Sequence, residues 1–180
     1  DARRDFFSAM DAANVDLKSF SDDFYQDYCR ASLQPVLETL LYIKERTQVW
    51  LEITTLLIPS LNDSPGEIDA LTRWIAEHLG PDVPLHFSAF HPDHKLTEIP
   101  ATPPRSLFMA RDIALKNGLK YVYTGNIIDP EGSSTFCREC GRLLIKRQGY
   151  RIAEYHLEHM NHCRFCGAQC PGYFDEPNGG

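Results

Sequence analysis

Long apolar runs are missing from this chain of 180 residues: no stretch approaches the roughly eighteen uncharged residues of a bilayer span, so no membrane partner is expected. A basic surface is missing as well. Lys and Arg number 18 against 25 Asp and Glu, and no basic run exceeds a pair such as Lys146-Arg147. The net charge of -7 therefore excludes a phosphate-tracking face, and no nucleic-acid partner is expected. The opening Asp1-Ala2-Arg3-Arg4-Asp5 is neither a methionine start nor a signal peptide, which predicts a truncated N-terminus. Cysteine is scarce before residue 137, where only Cys29 occurs, so no disulfide framework spans the chain. The other five cysteines lie between 137 and 170, a metal-ligating pattern that predicts a reducing, cytoplasmic location.

What is present is an α/β pattern followed by a small cysteine unit. With 43% hydrophobic residues the chain can bury one core plus an appendage. From residue 13 to 124, short β-branched or aromatic runs alternate with longer amphipathic ones, as βαβ units of a parallel sheet require. Strands are predicted over 13–18, 48–58, 84–90 and 119–123, with helices over 22–29, 35–46, 65–79 and 105–117. The third long helix is the best marked. Ser64 stands at its N-cap, Pro65 at its first position and Glu67 where it completes a capping box; Ile68, Leu71, Ile75 and Leu79 form one stripe before Gly80-Pro81. The four prolines from His91 to Pro104 predict a loop. The expected limits are 1–128 for the α/β part, 129–135 for a linker, 136–174 for the cysteine unit and 175–180 for a flexible tail.

Both cysteine pairs have the form Cys-x2-Cys-Gly, Cys137-Arg-Glu-Cys140-Gly141 and Cys163-Arg-Phe-Cys166-Gly167, with 22 residues between them. Glycine after the second cysteine permits the left-handed turn that aims N–H groups at a thiolate, and two such knuckles make a tetrahedral four-thiolate site. Structural zinc is expected at Cys137, Cys140, Cys163 and Cys166; iron in a rubredoxin-like centre uses the same ligands. Cys170 is read as a spare or substituting ligand. Leu143, Leu144 and Ile145 are predicted to pair with Tyr150 and Ile152 across a turn at Gln148-Gly149. A unit this small needs its metal to fold.

In the α/β part the polar residues to weigh lie at strand ends, where parallel α/β folds place ligand sites. Asn14, Asp16 and Lys18 make a polar row opposite Val15 and Leu17, which reads equally as a ligand site or as a purely structural feature, a wet strand face or an internal ion pair. Thr54 shares a strand face with Glu52, and His91 ends the third strand.

The segments Asn14-Val-Asp-Leu-Lys18, Trp50 to Pro59 with Asn62-Asp63, Pro84-Leu-His-Phe-Ser-Ala-Phe-His-Pro92, Tyr121 to Asn126 with Asp129-Pro-Glu-Gly132, and the terminal ribbon together resemble the second half of a radical S-adenosylmethionine (SAM) enzyme. The type resembled is the AmmeMemoRadiSam system radical SAM protein, similar to pyruvate formate-lyase and other glycyl-radical activating enzymes. The resemblance implies the C-terminal half of a partial (β/α)6 radical SAM barrel with a parallel sheet, followed by a zinc ribbon. It also implies that Asp16 and Lys18 face the aminoacyl end of SAM and that His91 lies against its ribose or adenine. Thr54 stands where the activating enzymes carry an arginine.

Radical SAM chemistry requires a Cys-x3-Cys-x2-Cys loop for a 4Fe-4S cluster, and this chain contains none. The expectation is a parent enzyme that generates a 5'-deoxyadenosyl radical, with the cluster ligands upstream and this fragment inactive alone. Implied partners are AMMECR1-like and Memo-like proteins and a reductant such as flavodoxin or ferredoxin. Two other functions fit the same residues: a zinc-ribbon interaction module on an α/β scaffold, and a rubredoxin-like electron carrier.

Overall fold

The computed structural model describes residues 2–94 and 96–174 and divides into two compact units, Asp1–Ile128 and Asp129–Gly180. The tail expected over 175–180 lies outside the described residues.

The first unit is a mixed α/β domain. Its elements are α1 (Ala2–Phe7), β1 (Ala12–Asp16), α2 (Asp22–Phe24), α3 (Leu33–Arg46), β2 (Trp50–Leu57), α4 (Pro65–His78), β3 (Leu85–Ala89), α5 (Pro104–Lys116) and β4 (Val122–Gly125). The four strands pair in parallel in the order β1-β2-β3-β4. Strand register is set by alternation. Along β2, Leu51, Ile53, Thr55 and Leu57 are buried, while Trp50, Glu52, Thr54 and Leu56 are only half-buried. The buried set joins Leu85, Phe87 and Ala89 of β3 and Val122 of β4 against one stripe from each long helix. Those stripes are Leu37, Leu40 and Ile43 of α3, Ile68, Leu71 and Ile75 of α4, and Leu107, Ala110 and Ala114 of α5. The three long helices thus lie on one sheet face, while on the other Leu56 packs into a small apolar cluster with Phe24, Ile58 and Phe90. Phe87, with 0% exposure, is the largest fully buried side chain. Phe87→Ala is expected to lower the unfolding free energy of this unit by about 3–5 kcal/mol in denaturant titration, as a cavity at an aromatic core position does.

Several boundaries differ from the sequence reading. β1 ends at Asp16, so Lys18 stands beyond the strand. β4 starts three residues later than expected, because Leu119 and Tyr121 are buried in the approach to the sheet rather than in it. The helix expected over 22–29 is one α-turn followed by a π-helical turn, Tyr25–Cys29, closed by Arg30 at φ 51°. α1 had no strong signal: six residues carry too few periodic positions to read.

The capping box at α4 is half made. Ser64 Oγ accepts from Glu67 N at 3.3 Å, but the Glu67 carboxylate does not reach back to the cap and instead meets Ser19 and Phe20.

The second unit is built from β5 (Thr135–Phe136), β6 (Leu143–Gln148) and β7 (Arg151–Tyr155) in one antiparallel sheet, and β8 (Leu157–Glu158) and β9 (His162–Cys163) in another. Its hairpin turn falls one residue later than predicted. Gln148 pairs with Arg151, which leaves Gly149 and Tyr150 in the turn and Tyr150 fully exposed instead of paired. Residues 129–135, read as a linker, are tied to this unit. Ser134 Oγ donates to Pro130 O at 2.6 Å, and Arg147 Nη1 donates to Ser133 O at 3.2 Å and to Thr135 Oγ1 at 2.8 Å.

Candidate metal centre and open sheet face

The two Cys-x2-Cys-Gly segments fold into matching knuckles. In the first, Cys137 N donates to Arg142 O at 2.8 Å and Gly141 N to Cys137 O at 2.9 Å. In the second, Cys163 N donates to Ala168 O and Gly167 N to Cys163 O, both at 2.8 Å. Gly141 (φ 70°) and Gly167 (φ 74°) take the left-handed conformation that closes each turn at little steric cost. The four sulfur atoms lie within 4.8 Å of one another, with Cys137 to Cys166 at 3.6 Å and Cys140 to Cys163 at 3.8 Å. A tetrahedron with zinc–sulfur bonds of about 2.3 Å has edges of about 3.8 Å, so the set fits one tetrahedral ion. One thiol of each knuckle is buried, Cys137 and Cys163, and its mate, Cys140 or Cys166, is exposed.

The thiols do not ionise independently. Burial raises the Cys163 pKa, but the N–H groups of Phe165 and Cys166 and the thiols of Cys166 and Cys140 outweigh it and bring the value down to about 7. The Ala168 N–H lowers that of Cys166, yet burial and the neighbouring Cys140, Cys137 and Cys163 push it up to about 12. Successive thiolates oppose one another, and a cation at the centre would allow all four to deprotonate. Cys170 is buried and is not among the four. Neither His156, which bonds Glu154 through Nε2 at 3.3 Å, nor His162 nor His159 joins the cluster.

On the α/β unit the structure brings Asp16 and Lys18 together: Lys18 Nζ donates to Asp16 Oδ2 at 2.8 Å, with both side chains about half exposed. Thr54 is the register partner of Asp16 and donates through Oγ1 to Asn14 Oδ1 at 2.8 Å. His91 is exposed in the loop after β3, and none of its side-chain atoms is hydrogen-bonded among the described residues.

A second polar group on the same open face escaped the sequence reading. His86 Nε2 lies 2.8 Å from Glu52 Oε2, Trp50 Nε1 donates to Glu52 Oε1 at 3.1 Å, and the His86 ring stacks on Tyr123 with centroids 5.0 Å apart. A carboxylate that accepts through both oxygens takes the hydrogen of the His86 contact from Nε2. Strand parity was the available signal. Trp50 and Glu52 share the face of Thr54, and His86 is the register partner of Thr54.

No family model matches the chain. By sequence it is 43% identical over 159 residues to an uncharacterized protein of Methanocaldococcus jannaschii, a match covering 88% of this chain and 47% of that protein. The chain thus spans about half the length of the curated relative it matches. Among solved structures it is similar to a domain of pyruvate-formate lyase-activating enzyme from Bacteroides vulgatus, with a TM-score of 0.60 at 15% identity, over 69% of this chain and 73% of that one. It is also similar to a radical SAM methyltransferase from Sphaerobacter thermophilus, with a TM-score of 0.53 at 15% identity, over 73% of this chain and 37% of that one. Among the described residues no helix is long and apolar enough to cross a membrane. A four-stranded parallel α/β sheet, with a fold similar to that of the activating-enzyme domain, followed in the chain by four cysteines placed to hold a metal, is the architecture of this protein.

Proposed function

We propose that this chain is the second half of a radical SAM enzyme of the glycyl-radical-activating type, with Asp16 and Lys18 holding the aminoacyl end of SAM. The observation that carries the reading is a parallel sheet whose three long helices all pack on one face. Its other face holds Asn14, Glu52, Thr54, His86 and Tyr123, and its rim holds a paired carboxylate and ammonium. Parallel sheets are ordinarily buried on both faces by apolar side chains, so a polar and aromatic second face suits the wall of a ligand-holding interior.

One carboxylate and one ammonium at 2.8 Å complement the ammonium and carboxylate of an amino acid, and SAM presents that pair. His91, exposed beyond β3, is free to approach a ribose or adenine. Thr54, bonded to Asn14, serves the wall. A 4Fe-4S cluster, ligated by cysteines outside this chain, would supply the electron that cleaves SAM to a 5'-deoxyadenosyl radical. This chain's own residues bind and orient SAM and exclude water around it. The four-cysteine centre is read as structural zinc. AMMECR1-like and Memo-like proteins, with a flavodoxin or ferredoxin as reductant, are the partners proposed, in the cytoplasm.

The test is anaerobic cluster reconstitution of the full-length protein, followed by SAM and dithionite. Release of 5'-deoxyadenosine is expected from the full-length protein and none from this chain alone. A full-length protein with no Cys-x3-Cys-x2-Cys motif, or one that assembles the cluster and never cleaves SAM, would refute the reading. In that event the exposed Tyr150 and Ile152 of the β6–β7 hairpin favour the ribbon as an interaction module.

A further inference from the structure

Beyond β1 the backbone makes one last bond to β2, Leu17 N to Thr54 O at 3.0 Å, and five of its next polar groups are then held by side chains. Leu17 O accepts from Thr55 Oγ1 at 2.8 Å. Lys18 N donates to the Tyr25 hydroxyl at 3.1 Å, and Lys18 O accepts from Asn62 Nδ2 at 2.6 Å. Ser19 Oγ donates to Glu67 Oε1, which also accepts from Phe20 N at 2.9 Å, and Ser21 N donates to Ser19 Oγ at 3.1 Å. Ser19 is completely buried. Leu17, Lys18 and Phe20 by their backbone, and Ser19 by its side chain, are therefore fastened from β2, the π-helical turn, the loop after β2 and the first turn of α4.

A surface connection would ordinarily leave these groups to water. The visible Asp16–Lys18 pair cannot account for the order: an exposed ion pair two residues apart contributes between nothing and about 1 kcal/mol. Glu67 is the informative member. At the third position of α4 behind Ser64, its local role is to complete the capping box, and it forgoes that bond to hold a segment 47 residues away. A local rule broken in favour of a distant contact marks a place where position matters more than helix stability.

We propose that Glu67 is a positioning residue, holding Ser19 and Phe20 so that Lys18 and Asp16 are fixed before SAM arrives; this rests on the reading that those two residues bind SAM. A carboxylate and an ammonium aimed at a zwitterion lose affinity when the backbone carrying them wanders, because ordering must then accompany binding.

The test measures SAM affinity by equilibrium dialysis on the cluster-loaded full-length protein, together with the thermal unfolding midpoint, for wild type, Lys18→Ala, Glu67→Ala, Glu67→Gln and Ser19→Ala. Glutamine keeps an oxygen able to accept both bonds. Glu67→Ala is expected to weaken SAM binding on the order of tenfold, while Glu67→Gln stays within about threefold of wild type. A merely structural role predicts a lowered midpoint with unchanged affinity in the folded protein. If Glu67→Ala does not fold, Ser19→Ala replaces it, with an expected loss of about threefold. Impaired binding by Lys18→Ala alongside wild-type affinity for Glu67→Ala and Ser19→Ala overturns the inference. Equal losses for Glu67→Ala and Glu67→Gln overturn it too. Wild-type affinity for Lys18→Ala removes the reading beneath it, and the inference falls with that reading.

Discussion

Stripping the metal from the four-cysteine centre is expected to unfold residues 136–174 while the helical signal of the α/β unit persists. Among the described residues of the second unit the buried apolar side chains, apart from cysteine, are Leu144, Ile145 and Leu157, too few to order some forty residues. A structural zinc contributes on the order of 10 kcal/mol in small cysteine-rich units, so the ion decides whether this one folds. Protons compete with the ion for the thiolates, so acidification releases it and neutralisation restores it. The measurement is an amide correlation spectrum before and after chelation, with elemental analysis of the purified protein. Zinc gives a colourless protein and iron a red one that dithionite bleaches. Ribbon resonances that keep their dispersion in metal-free protein would show that the chain folds here without help.

Asn62→Ala is expected to cost about 3 kcal/mol or more in the α/β unit, a large share of a typical folding margin. Asn62 is buried at 3% exposure and bonds three backbone groups: Oδ1 accepts from Ile58 N at 2.6 Å, and Nδ2 donates to Lys18 O at 2.6 Å and Leu56 O at 2.9 Å. Truncation leaves an N–H and two carbonyls without partners, each costing about 1–3 kcal/mol where water cannot reach them. Asn62→Asp separates the two kinds of bond, since a carboxylate still accepts from Ile58 N but repels both carbonyls. It should fall below wild type as far as alanine does, or further. Denaturant midpoints read both effects, and a loss under about 1 kcal/mol for Asn62→Ala would mean that solvent reaches the site.

The long elements were legible because burial leaves a period in the sequence. The stripe Ile68, Leu71 and Ile75 and the alternation Leu51, Ile53, Thr55, Leu57 are the core contacts themselves. The knuckles were legible because metal geometry dictates spacing, and the four sulfur atoms do converge. What escaped was anything settled by distant partners. Glu67 has every local reason to cap its helix, and only the fold shows that Ser19 and Phe20 claim it. His86 looked like one more residue of an apolar strand, because Glu52 and Tyr123, which define its role, come from neighbouring strands 34 and 37 positions away. Asn62 was visible as part of a motif, but a buried amide spanning two strand ends has no signature in its neighbours.

The strands of the sheet follow the chain without reversal, β1 to β4 from one edge to the other. Doubly wound sheets turn back on themselves, and their ligands settle in the crevice opened at that reversal. Laid side by side like staves, these strands offer no such crevice. On the function proposed above, the small molecule would rest against the broad open face or on its rim, so changes of specificity would come by repainting single staves and not by reshaping a cleft.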